Sequence, residues 1–233
     1  LFYREILPKT RAQIDVLCHG VTRAALTEQI TAAQGYHLVH WSGHGRLNFL
    51  ELRGEDGGKE EISGEDLARL FDDAGGFMPQ IVFLSACLSG AFVDIRSWAD
   101  FQAAMLGRRT DGKQTPLPVL PDILDNPAGY TGAALALLRA GIPQVIAMRY
   151  EVGDMYARRL ACEFYKRLLA DPGAEQGNRT TDDALALARA DLLKAPDAAR
   201  LGAINHATPL MFGQAGRRLH PVSKRSKQLE KAR

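Results

Sequence analysis

Short, mostly apolar runs alternate with amphipathic stretches along most of this chain. Tyr36–Trp41, Gln80–Ala86 and Gln144–Met148 are nearly continuous hydrophobic segments, as strands covered on both faces require. Ile14–Cys18 is a further apolar run that predicts a short strand closed by a turn at Gly20, and Pro209–Phe212 predicts a final edge strand. Asn48–Arg53 instead alternates Phe49, Leu50 and Leu52 with polar groups. With the turn Glu55-Asp56-Gly57-Gly58 and the segment Glu60–Ile62, it predicts a small antiparallel hairpin.

Between the strands lie helical periods. Thr22 is placed to cap a helix reaching about Ala33, with Leu26 and Ile30 on one face. Ser63-Gly64-Glu65-Asp66 matches a capping box and opens a helix striped by Leu67, Leu70 and Phe71. Gly129–Ala140 is small and apolar on most sides, which suits deep burial, and Gly141 ends it. Asp154–Leu169 turns Leu160, Phe164 and Leu168 to one side, and Thr180 or Thr181 caps a last helix reaching about Leu193. Strands alternating with helices predict an α/β sandwich around a mostly parallel sheet. Residues 91–126 break the pattern. They mix Trp98 and Phe101 with Arg108-Arg109, Asp111-Gly112 and a proline-rich run, and a short helix around Ser97–Leu106 is expected within them. A connection of that length either serves function or is a plain surface insertion.

A chain of 233 residues, 46% of them hydrophobic, suffices for one α/β domain of ordinary size. The expected domain runs over 1–216, with the insertion at about 91–126. The segment 217–233, holding seven Lys/Arg and one acid, is expected to be a basic tail or linker. Without it the chain is slightly acidic, so no direct nucleic-acid binding is expected. No apolar run is long enough to cross a bilayer, so no membrane partner is expected. The chain begins at Leu1 rather than methionine, so it is expected to be a piece of a longer protein. Three cysteines are too few and odd in number for a disulfide scaffold, which points to a reducing, cytoplasmic compartment. Cys18, in its apolar run, and Cys162, on a helix, read as small buried hydrophobes. No metal site and no cofactor are expected.

Two segments carry the chemistry. Ser42-Gly43-His44-Gly45 and Ser85-Ala86-Cys87-Leu88-Ser89-Gly90 each follow a predicted buried strand, so a histidine and a cysteine arrive at the carboxyl ends of two strands, where open parallel sheets place their sites. A thiol needs a base to become the nucleophilic thiolate, and histidine suits that task and the later return of the proton. Glycine at position 45 lets a backbone N–H approach a substrate carbonyl, and the Cys87 N–H is a candidate second donor for an oxyanion. The spacing and order match the caspase-like arrangement, histidine upstream of cysteine. No phosphate-binding glycine loop follows an early strand, which disfavours a nucleotide-binding reading.

The chain resembles the CHAT domains, caspase-like and separase-like cysteine peptidase domains often attached to repeats or signalling modules in bacteria. The resemblance rests on four blocks: His37–Gly45, Val82–Gly90, Ala140–Tyr150 continuing to Val152 and Asp154, and Thr208–Phe212. It implies a caspase-like α/β/α sandwich and an endopeptidase with His44 as general base and Cys87 as nucleophile. It also implies a protein or peptide substrate, and activity governed by an attached sensor domain or an activating protein in signalling or defence. Related peptidases that cut after basic residues carry an aspartate two positions before the cysteine, where this chain has Ser85. An acid for the P1 pocket must then come from elsewhere, and Asp154, with Glu151 beside it, matches an acidic position kept in related domains. An aspartate there also reads as a helix N-cap. The competing reading of the whole chain is a catalytically silent caspase-like module that binds protein partners.

Overall fold

The computed structural model describes residues 12–91, 93–94, 130–169 and 179–219. Its centre is a four-stranded sheet of β1 (Leu38–Ser42), β5 (Ile81–Ser85), β8 (Gln144–Met148) and β9 (Pro209–Gly213), in that spatial order. The first three are parallel, and β9 closes the edge antiparallel to β8. The strands β5 and β8 are buried at every position, which accounts for their unbroken apolar sequences.

Opposite faces of the sheet carry separate cores. On one side α1 (Arg23–Ala32), α2 (Gly64–Asp73) and α3 (Ala133–Arg139) pack through Ile30, Leu67, Leu70, Phe71 and Leu137 onto Val82, Leu84 and Val145. On the other, α4 (Asp154–Leu168) and α5 (Thr181–Lys194) pack through Tyr156, Leu160, Phe164 and Leu185 onto Ile81, Phe83 and Ile146. This is the caspase-like α/β/α sandwich with a mostly parallel sheet that the sequence predicted. Among the described residues no helix is long and apolar enough to cross a membrane.

The predicted caps form. Thr22 Oγ1 accepts from the Ala25 N–H at 3.2 Å, Ser63 Oγ from Asp66 at 3.0 Å, and Thr180 Oγ1 from Asp183 at 3.3 Å. Gly64 matters for a different reason. A Cβ there would stand 2.6 Å from Ala133 Cα, so the first turns of α2 and α3 touch backbone to backbone. The hairpin forms as β3 (Phe49–Arg53) and β4 (Lys59–Ser63), and a third short strand, β2 (Gly45–Arg46), joins it.

Three expectations need correction. Ile14–Cys18 is not a strand. Residues 12–18 are irregular, Val16 is 55% exposed, and Cys18 is exposed rather than a buried hydrophobe. An apolar run becomes a strand only beside a partner that takes its backbone hydrogen bonds, and none pairs with it among the described residues. The helix expected from Gly129 begins at Ala133, because Tyr130–Thr131 (β7) pairs with Val93–Asp94 (β6). Asp154 is no N-cap: Gly153 holds that position, and Asp154 is the first helical residue. The helix proposed around Ser97–Leu106 and most of the 91–126 segment lie outside the described residues, as does the chain beyond 219. Before that point Arg217 still touches the fold, its carbonyl accepting from the Thr181 N–H at 2.9 Å.

Candidate active site

The histidine and cysteine loops are brought together by strand register. The β1–β5 pairing sets Ser42 opposite Ser85, so His44 and Cys87 lie two residues beyond the same rung on neighbouring parallel strands. Gly43 N–H donates to the Ser85 carbonyl at 3.3 Å and extends the pairing past the strand ends. Gly45 then rests on the cysteine turn itself. A Cβ at Gly45 would stand 2.8 Å from the Cys87 carbonyl oxygen and 2.9 Å from Ala86 Cβ.

The cysteine turn is held from below. Leu88 takes a left-handed conformation (φ 58°), which is uncommon for a leucine and bends the chain back under the strand end. Ser89, fully buried, donates its hydroxyl to the Ala86 carbonyl at 2.7 Å and accepts the Met148 N–H at 3.1 Å. Gly90 N–H donates to the Met148 carbonyl at 2.9 Å. The turn is thereby bonded across to the end of β8. Neither the Ser89 hydroxyl nor this fastening has a distinctive spacing, so nothing in the chain singles out Ser89 before the fold is known.

Cys87 is partly exposed. Its Sγ accepts from the Val152 N–H at 3.5 Å and lies 3.9 Å from the Val152 carbonyl oxygen, so the thiol faces the loop leading into α4 rather than hydrogen-bonding to His44. His44 is exposed and, with Phe49, Arg46 and the carboxylates of Glu51 and Glu61, lines a small cleft on the hairpin. Arg46 pairs with Glu61, and Lys59 pairs with Glu51 at 3.0 Å.

Two backbone donors belong to the residues at this contact. Glu51 N–H donates to the His44 carbonyl at 3.1 Å, which makes Gly45–Leu50 a non-hydrogen-bonded pair of the antiparallel ladder. The ladder therefore leaves the Gly45 N–H turned away from β3. The Cys87 N–H has no acceptor among the described residues. Two N–H groups with no acceptor among the described residues thus belong to the contact between Gly45 and Cys87.

The three residues suggested for a P1 pocket are placed differently. Ser85 is 7% exposed, at the last position of β5. Glu151 and Asp154 are exposed. Glu151 sits between Tyr150, whose carbonyl accepts from Leu88 N–H at 3.4 Å, and Val152, which meets the thiol. The loop carrying Glu151 is therefore attached directly to the cysteine turn, whereas Asp154 opens α4 just beyond it.

His40, four positions before His44, belongs to a different environment. Its ring packs on Phe83 at 4.8 Å and its Nδ1 meets the Tyr165 hydroxyl at 2.7 Å. Burial pushes its pKa down to about 4, so it is neutral at physiological pH.

A parallel sheet with an antiparallel edge, helices on both faces, and adjacent histidine and cysteine loops beyond the strand ends define a caspase-like α/β/α protein. The CHAT domain family matches this chain over residues 4–209, and the chain belongs to that family. The family is associated with caspase-like cysteine peptidases. Comparison with curated proteins gave no match.

Proposed function

We propose that this CHAT domain is a cysteine endopeptidase acting through Cys87 and His44. The observation that carries the reading is the register itself: both residues stand two positions past the Ser42–Ser85 rung, and Gly45 rests on the Cys87 turn. In the proposed reaction His44 takes the thiol proton and Cys87 Sγ attacks the scissile carbonyl. The carbonyl oxygen becomes an oxyanion held by the Gly45 and Cys87 N–H groups. Collapse of the tetrahedral intermediate breaks the C–N bond, His44 returns the proton to the leaving amine, and a thioester remains on Cys87. Water, deprotonated by His44, then attacks the thioester and releases the acid and the thiol. Because Cys87 is bonded to Val152, a small turn of the His44 loop or of the thiol accompanies substrate binding; such hydrogen bonds commonly tighten only in the substrate complex.

The substrate is a protein, and its P1 residue is basic, met by Glu151 or Asp154 at the mouth of α4. Their exposure and the attachment of the Glu151 loop to the cysteine turn support this assignment. An attached sensor domain or an activating protein governs the activity, and residues 1–216 form the catalytic unit. A positional scan of peptide substrates, run on the wild type and on Cys87→Ala, tests the reading. Cleavage after Arg or Lys by the wild type alone is expected. Absence of turnover in every activated state, with no enhanced reactivity of Cys87 toward a peptidyl electrophile, favours the silent protein-binding module instead.

A further inference from the structure

Val152, whose N–H meets the thiol, belongs to a loop with no regular hydrogen bonding of its own between Arg149 and Gly153. It is fastened from outside. Arg149 N–H donates to the Thr208 carbonyl at 2.8 Å, and Gly153 N–H donates to the side-chain Oδ1 of Asn205 at 3.2 Å. Asn205 lies in the 3-10 turn Ala203–Ala207 that leads into β9. Its Nδ2 donates to the Leu201 carbonyl, which settles the orientation of the amide: only the oxygen can accept from Gly153 and only the nitrogen can donate to Leu201.

On one side a glycine leaves room for this amide: a Cβ at Gly202 would stand 3.1 Å from Asn205 Nδ2, whereas one at Gly153, at 3.5 Å, would make only ordinary contact. Gly202 also has φ 78°, a conformation that favours glycine. The turn is anchored behind Asn205 by its neighbour. Buried His206 packs edge-on against Tyr156 of α4 at 4.9 Å, and its carbonyl accepts from Arg189 Nε of α5 at 3.0 Å. Asn205 therefore connects a turn seated on α4 and α5 to the loop that touches Cys87 Sγ.

We infer that Asn205 is a positioning residue for the nucleophile: by holding the Gly153 amide it fixes the adjacent Val152 N–H against Cys87 Sγ. The inference rests on the peptidase reading for its catalytic consequence but not for the placement of the thiol. The Val152 N–H fixes where the sulfur sits, and displacement by about 1 Å of a positioned group can lower turnover on the order of 100-fold.

The chain carries its own controls, since Cys18 is exposed and Cys162 is buried. Iodoacetamide labelling of the full chain, read cysteine by cysteine by peptide mass, is expected to show Cys87 in Asn205→Ala slowed about tenfold relative to Cys18, with kcat lowered similarly and KM within about twofold. Asn205→Asp keeps the acceptor for Gly153 and loses the Leu201 contact. It should melt lower yet keep Cys87 labelling within about threefold of wild type. In the unaltered chain, the exposed Gly153 amide should exchange its hydrogen slowly. Unchanged Cys87 labelling in Asn205→Ala overturns the inference. If that variant unfolds, shown by labelling of Cys162, free exchange at the wild-type Gly153 amide overturns it instead. Slowed labelling in a chain without peptide turnover upholds the positioning role and sinks the peptidase reading alone.

Discussion

Gly45 touches the carbonyl oxygen of Cys87 so closely that no side chain fits between them: a Cβ would lie 2.8 Å away. Among the described residues, Gly43, two residues earlier, has only the Trp41 indole nitrogen within reach of a Cβ, at 3.4 Å. The two glycines of the same motif therefore differ in kind. Gly45→Ala must push the cysteine turn or the β2 strand aside, while Gly43→Ala needs little movement. Gly45→Ala is expected to lose about 100-fold or more in kcat/KM by displacing an oxyanion donor and the nucleophile together. Gly43→Ala should stay within about threefold of wild type, since it displaces neither group. Steady-state cleavage of one peptide by both variants checks this, and equal losses contradict the assignment.

Ser89 should behave as a structural fastening. Ser89→Ala leaves the Met148 N–H without its acceptor inside a buried strand end, which costs about 1–3 kcal/mol. Denaturant unfolding measures the loss. Ser89→Cys, which restores only a weak acceptor, should recover a minor part of it.

The P1 assignment separates by substrate. Asp154 lies exposed in the first turn of α4, where a negative charge favours the helix by about 0.3–1 kcal/mol. Asp154→Asn is expected to lower stability by that small amount whatever its other role. If either acid meets the P1 side chain, Asp154→Asn or Glu151→Gln reduces kcat/KM for an Arg or Lys peptide by about tenfold while sparing a neutral one. Parallel loss on both peptides points to a structural effect.

Acid should destabilise the domain through His40. Its folded pKa is depressed to about 4 from an ordinary value of 6.5, so in the window between these values the unfolded chain binds a proton that the folded chain refuses. Stability is full above about pH 6.5, falls as the pH drops toward 4, and loses about 3 kcal/mol over that range. Urea midpoints at stepped pH should show this slope, and His40→Gln should flatten it. An unchanged slope in the variant assigns the acid sensitivity to other groups.

Much of this was legible in the chain. The runs Gln80–Ala86 and Gln144–Met148 read as strands because a strand buried on both faces has no polar alternation to obscure it, and Ser63 and one of Thr180 and Thr181 read as caps because such side chains act within three residues; the structure selects Thr180. Local signals of this kind need no partner. Ile14–Cys18 shows the opposite case, an apolar run whose strand depended on a neighbour, and none pairs with it among the described residues. The start of α3 was likewise set from outside, by the pairing of Tyr130–Thr131 with Val93–Asp94.

The sequence by itself determined the alternation of strands and helices, the caps, and the delivery of His44 and Cys87 to strand ends, because each follows from the period and chemistry of adjacent residues. Only the tertiary structure decided that the Ser42–Ser85 rung sets those two loops side by side, that Gly45 rests on Cys87, and that the thiol faces Val152 in a loop held by Asn205. Strand register and backbone N–H groups bear no residue-type signature, and Asn205 lies 118 positions beyond the cysteine it serves. Contacts of that separation exist only once the sheet has formed and its two helical layers have closed around it.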